Sequence, residues 1–161
     1  MKITAEVTGV QDVLGWVRDL PDRIRQEGLA SMEDLVAGLV SYTINDKLAG
    51  QVLTRRTGRL ASSIFGSAVV SGDLVVGTLG SKGVPYAAIQ EYGGQTGPHD
   101  IMPTAARALS FIWHGDRVFF SHVNHPGSKI PENSYLRSTL LDMHDVILEE
   151  LREGVLRAIH K

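Results

Sequence analysis

Ala106–Leu140 reads ARALSFIWHGDRVFFSHVNHPGSKIPENSYLRSTL, and this stretch decides the fold. Apolar side chains alternate through Leu109, Phe111 and Trp113, stop at Gly115-Asp116, and resume at Val118 and Phe120. That pattern is two half-buried strands joined by a tight turn. A two-residue turn at Gly115-Asp116 pairs Trp113 with Val118, Phe111 with Phe120 and Leu109 with His122, all on one face. The opposite face carries Ala108, Ser110, Ile112, Phe119, Ser121 and Val123. That face is only partly polar, so it is expected to be covered in part by something else. His125-Pro126-Gly127 then turns the chain toward a helix, with Asn133 or Ser134 as N-cap.

Working outward, Ser63–Leu79 repeats the theme. Ile64, Val69, Val70, Val75 and Val76 are strand formers, and a Gly72-Asp73 turn sets Val70 opposite Val75. Between the hairpins, Lys82–Ile101 holds Gly83, Pro85, Gly93, Gly94, Gly97 and Pro98. Tyr86–Tyr92 reads as a short helix, and Gly93–Asp100 as a mobile loop. Toward the N-terminus, Val10, Leu14, Val17 and Leu20 recur at helical spacing until Pro21, which is expected to end or kink that helix. A second helix is expected over residues 22–49. Its apolar line is Leu29, Met32, Val36, Leu39 and Thr43, widened by Val40 and Ile44. Gly28 and Gly38 interrupt it, which implies close packing or bending. Ile3, Ala5 and Val7 alternate like a short strand over Met1–Val10. A final helix over Asn133–His160 carries the stripe Leu136, Leu140, Met143, Ile147, Leu151 and Val155. The expectation is one α+β domain spanning residues 1–161, with an antiparallel sheet built from two β-hairpins and packed by a long N-terminal and a C-terminal helix. Its parts are helical 10–50, hairpin 62–79, glycine-rich loop 80–104, hairpin 106–123 and helix 133–160.

Composition removes several function classes. The chain has 161 residues, 43% hydrophobic and 21% charged, with a net charge of -2. That balance gives no general attraction to nucleic acid or anionic membrane. No apolar run approaches the roughly 20 residues needed to span a bilayer, and MKITAEV lacks the apolar core of a secretory signal. Zero cysteines exclude disulfides, thiolate catalysis and cysteine zinc sites. His122 and His125 stand three apart, but strand alternation puts their rings on opposite faces. His99 and Asp100 join them only if the loop folds over. There is no Gly-x-Ser-x-Gly elbow. Gly93–Gly97 lacks the Lys-Ser/Thr ending of a phosphate loop, and Glu91 and Asp100 are isolated carboxylates. Trp16 and Trp113 read as core or interface residues. No catalytic residue, metal or cofactor is assigned; a metal-dependent hydrolase using His99, His122 and His125 is the alternative. Arg55, Arg56 and Arg59 have two readings, cations at the negative end of a helix dipole or contacts to a partner.

Several motifs then follow in order. A helix ends in Arg56-Thr57-Gly58-Arg59-Leu60, followed by Ser62-Ser63-Ile64. Tyr86-Ala87-x-x-x-Glu91-Tyr92-Gly93 comes next, then Ala108-Leu109-x-Phe111 and Val118-Phe119. Val123-x-His125-Pro126-Gly127 and Tyr135-Leu136-Arg137 complete the series. Over about Thr54–Leu140 this order and spacing resembles the minor tail or tail-completion proteins of long-tailed bacteriophages, which act near the head–tail junction. The departures are Thr54-Arg55-Arg56, where many relatives carry a proline, and Ser134-Tyr135 in place of a compact Pro-Phe ending. The resemblance implies a non-enzymatic virion component of the tail or neck, assembled in the host cytoplasm. It implies a homo-oligomer, with a hexameric ring as the natural expectation. Its partners would be tail terminator, tail tube or head-closure proteins, with DNA only passing through a channel and no membrane. A tail terminator or head-closure protein of the same neck, and a prophage-encoded toxin or regulator, are the neighbouring alternatives. The candidate interface residues are Arg55, Arg56, Arg59, Glu91, Tyr92, Gly93, Gly94, His125 and Pro126, and the structural turns Gly58, Gly72, Gly115 and Gly127. Arg59 is expected to bridge to a carboxylate, with Glu91 the candidate.

Overall fold

The computed structural model describes residues 9–160. Its first elements are helix α1 (Val10–Asn45), strands β1 (Ile64–Ser71) and β2 (Leu74–Ser81), and helix α2 (Ala87–Tyr92). Strands β3 (Gly94–Gln95), β4 (His99–Ile101), β5 (Leu109–Trp113) and β6 (Asp116–Phe120) follow. Strands β7 (Val123–His125) and β8 (Lys129–Ile130) precede helices α3 (Tyr135–Asp142) and α4 (His144–His160). The class is α+β, with the strands in separate antiparallel pairs: β1–β2, β3–β8, β4–β7 and β5–β6. The described residues form two compact units, one of those up to Val84 together with those from Tyr135 onward, the other of Pro85–Ser134. The strand expected from Ile3, Ala5 and Val7 lies outside the described residues.

In the helical unit, Pro21 does not divide the first helix: α1 runs through it without a break. Pro21 removes the N–H that would reach the Val17 carbonyl. Both residues are exposed, so that carbonyl meets water instead. Arg23 also spans the weakened turn, its Nη2 donating to the Trp16 carbonyl at 3.0 Å. The same guanidinium lies 5.2 Å over the Trp16 ring. The helix stops at Asn45 rather than near Ala49, and Lys47–Ala49 form a tighter 3-10 turn.

Leu35, Val36 and Leu39 form the buried line of α1, and Leu35 was absent from the sequence reading. The β1–β2 hairpin has the expected register, with Val70 opposite Val75. Gly66 and Gly77 let α1 lie directly on it. A Cβ at Gly66 would overlap the Val36 side chain and lie 2.9 Å from Val40 Cγ2. One at Gly77 would stand 2.5 Å from Met32 Sδ. Gly28 lies against Val75, whereas Gly38 faces open space and serves no close packing.

The last helix is two helices, α3 and α4, separated at Met143. Backbone bonds continue on both sides of it, Met143 N–H to the Thr139 carbonyl and Ile147 N–H to the Met143 carbonyl. Asp142, at the end of α3, accepts from Lys47 Nζ at 2.5 Å and from the Tyr42 hydroxyl at 3.0 Å. The buried Thr43 and Thr139 hydroxyls lie 3.0 Å apart. Each hydroxyl has one proton, so one donates to its own helix carbonyl while accepting from the other. Gly154 leaves room for Ser31, whose Oγ accepts from Arg157 Nη2 at 2.7 Å. Leu48, Ala61, Ile64 and Tyr135 close the core.

In the second unit, the β5–β6 turn is His114-Gly115, not Gly115-Asp116. The φ angles are 50° at His114 and 94° at Gly115, the paired left-handed conformation of a type I′ turn. Trp113 therefore faces Asp116, Phe111 faces Val118, and Leu109 faces Phe120. This slip of two residues keeps every side chain on its expected face. It leaves His122 beyond the strand end, so its pairing with Leu109 does not form. The Gly93–Asp100 segment, expected to be a mobile loop, is tied down by two short ladders. Gly94 and Gln95 pair with Ile130 and Lys129, and His99, Asp100 and Ile101 pair with His125, Asn124 and Val123.

Candidate assembly surfaces

The Thr54–Leu60 connection turns the chain from helix to strand. Arg55 Nη2 donates to the Ile44 carbonyl at 3.1 Å, at the C-terminal end of α1. Arg55 thus takes the helix-end role of the two readings. Thr57 Oγ1 accepts the Arg59 N–H at 3.4 Å, and Gly58 sits at φ 75°. The Gly58 carbonyl accepts the Ser62 N–H at 2.9 Å, which starts the short 3-10 turn into β1. Arg56 and Arg59 are exposed.

In α2, the candidates separate. Glu91 is 2% exposed and engaged within the chain, whereas Tyr92 is 66% exposed. Gly93 (φ 67°) passes so close to the backbone that a Cβ would stand 2.8 Å from Glu132 N. Gly94 continues into the β3–β8 ladder. The alternating sequence offered no sign that Glu91 would be buried, because burial here depends on tertiary packing.

The His-Pro-Gly turn is a clasp for the glycine-rich segment. Gly127 (φ 94°) leaves no room for a Cβ against the Thr96 carbonyl. Thr96 N–H donates to the Ser128 carbonyl at 2.9 Å, and Ser128 N–H donates to Thr96 Oγ1 at 2.7 Å. His125 Nδ1 accepts the Gly127 N–H at 3.0 Å. His99 Nδ1 donates to the Gly97 carbonyl at 3.1 Å. The rings of His99 and His125 stack with centroids 5.0 Å apart and planes 26° from parallel. A metal lies in the plane of each imidazole it binds, so stacked rings do not present a common ligand point. His122 lies outside this pair. Among the described residues, no group of three or more His, Asp or Glu side chains is placed to hold a metal ion.

Two sheet faces remain as surfaces. On β5–β6, Phe111 stacks on Phe120 at 5.5 Å and meets Trp113 edge-on at 6.4 Å. Trp113 is nevertheless 61% exposed, and on the other face Ile112 and Phe119 are 62% and 65% exposed. On β1–β2, the face away from α1 exposes Phe65, Val69, Val76 and Leu74. The sequence reading missed this second face, although the alternation of Gly66 and Ala68 with Phe65 and Val69 signals it. No helix among the described residues is long and apolar enough to cross a membrane.

Electrostatics are local. The Lys47 ammonium, with help from the Tyr42 hydroxyl, holds the Asp142 carboxyl below the usual carboxylate range. That carboxylate in turn pushes the Tyr42 phenol up. Arg25 joins Asp73 at the β1–β2 turn and Asp22 on its own helix, each at 2.8 Å. Comparison of the chain with protein-family models, with curated proteins and with solved structures gives no match.

Proposed function

We propose that this chain is a structural subunit of the neck of a long-tailed bacteriophage, a tail-completion or head–tail joining protein. It self-associates into a ring, with six subunits as the expectation. The ring stacks against the tail terminator, tail tube or head-closure proteins, and DNA only passes through it. The chain does no covalent chemistry in this role. The motif order over about Thr54–Leu140 suggests the family, and one surface observation supports the assembly role.

That observation is the β5–β6 hairpin, whose two faces both expose large apolar side chains. Trp113 on one face and Ile112 and Phe119 on the other together leave on the order of 400 Å² of apolar surface in water, which a contact that clasps the hairpin on both faces would cover. Covering it is worth about 10 kcal/mol at roughly 25 cal/mol per Å². Association costs about 4–15 kcal/mol in lost freedom, so one such contact is marginal. A closed ring gives each subunit two contacts, which tips the balance toward assembly.

Light scattering and sedimentation of the purified chain, alone and with tail extract, test this. The expected outcome is a ring-sized mass, or sedimentation with the tails. A Trp113→Glu/Phe119→Glu double variant should fold and lose that association. A chain that stays monomeric and never joins tails contradicts the proposal.

A further inference from the structure

Among the described residues of its unit, the N-terminal part of α1 outruns the elements that pack on it. The β1–β2 turn reaches Arg25 through Asp73, and α4 reaches Glu27 through Arg157. Ahead of that point the apolar stripe continues. Leu14, Val17, Pro21 and Ile24 alternate at spacings of three and four, and Gly28, Ser31 and Leu35 carry the same spacing into the buried part of the helix. This is the seam pattern by which two helices pack side by side. The exposed segment is about 22 Å long at 1.5 Å per residue. Val13, Leu14 and Val17 are each more than half exposed.

We infer that residues 10–24 of α1 are a self-association surface, which pairs antiparallel with the same segment of a second copy. Three observations favour that occupant. A shallow cleft of about 320 Å³, lined by Val17, Leu20, Pro21, Ile24, Arg25 and Asp73, sits at one end of the segment, and the exposed Leu14 stands toward the other. A two-fold, antiparallel arrangement places each Leu14 at the partner's cleft, so one patch completes both halves. Charge agrees as well. Residues 10–24 carry Asp12, Asp19 and Asp22 with Arg18 and Arg23, Arg25 being paired with Asp22 and Asp73, and the antiparallel sense brings Asp12 toward the end that carries Arg23. A parallel pair would instead crowd the two hairpins and the two α4 helices at one end.

The third observation is area. Two such helices bury on the order of 900 Å² in total, below the roughly 1,200 Å² of a stable complex. The dimer is therefore weak and reversible. It is a different contact from the proposed ring contact, and a failure of one leaves the other standing.

Sedimentation equilibrium of the full chain up to about 100 μM tests it. In the Trp113→Glu/Phe119→Glu background, which removes the proposed ring contact, the chain should shift from monomer toward dimer. Leu14→Asp and Val17→Glu should each weaken dimerisation at least tenfold with an unchanged circular dichroism spectrum, since both side chains are exposed in the monomer. Ala37→Glu, on the exposed side of α1 beyond the segment, should not. Trp113→Glu/Phe119→Glu should retain the dimer, which separates this contact from the ring. The absence of native cysteine gives a second test. Mild oxidation of Leu14→Cys mixed with Ile24→Cys should yield a mixed disulfide dimer in excess of either variant alone. A ring-deficient chain that stays monomeric, dimerisation indifferent to Val17→Glu, or cross-linking of Leu14→Cys only to itself would overturn the proposal.

Discussion

Gly66 and Gly77 both stand where α1 lies on the β1–β2 hairpin, but they are not equivalent. A methyl at Gly66 overlaps the stiff Val36 side chain and crowds Val40, whereas one at Gly77 meets mainly the flexible Met32, at Sδ and Cγ, with Val36 Cγ2 at 3.1 Å. In a strand, Gly→Ala alone would gain roughly 0.5–1 kcal/mol. Overpacking against β-branched neighbours costs about 1–3 kcal/mol and wins at Gly66. Urea denaturation should therefore show Gly66→Ala clearly destabilised and Gly77→Ala destabilised less. Asp142 makes a second residue-scale prediction. Its carboxyl titrates below the ordinary 3.8 in the folded chain because of Lys47. Its contribution to stability is thus fully present above that ordinary value and is lost as pH falls through the depressed one. Asp142→Asn should lower the melting temperature at neutral pH and remove this component of the acid limb. Neither feature is legible in the sequence, because each depends on residues far apart along the chain.

Among the elements, local pattern was legible where the partner was adjacent in sequence. The β1–β2 register followed from Gly72-Asp73 and the flanking valines. The same dipeptide misled at Gly115-Asp116, because His114 also adopts a left-handed conformation and draws the turn back by one residue. The glycine-rich segment was misread as mobile because its partners, Val123–His125 and Lys129–Ile130, come later in the chain. Among the candidate interface residues, exposure of Tyr92 and burial of Glu91 were equally invisible to periodicity. Pro21 shows the opposite error, a strong local signal overruled by exposure and by Arg23. If the helix truly bridges a missing bond there, Pro21→Ala should restore it. The expected gain is about 1–3 kcal/mol in chemical denaturation, with slightly higher helical content. A loss of stability would mean that the ring of Pro21 packs where the exposed carbonyl account places water.

At the scale of the whole molecule, the described surface is unusually rich in uncovered apolar groups on the outer face of β1–β2, both faces of β5–β6 and the leading segment of α1. Single exposed apolar residues need no explanation, but contiguous ones mark contact surfaces. Separate surfaces of this kind suit the proposed role of a subunit with more than one neighbour. The proposed role, tail completion or head–tail joining in a phage, requires that the chain bind a tail end. Negative-stain imaging of tails isolated from a lysate of the phage carrying this gene, incubated with the purified gold-labelled chain, tests it most directly. The account predicts label at one end of the tail, in a ring-shaped density. Tails with both ends unlabelled at saturating protein, or label scattered along their length, would contradict it.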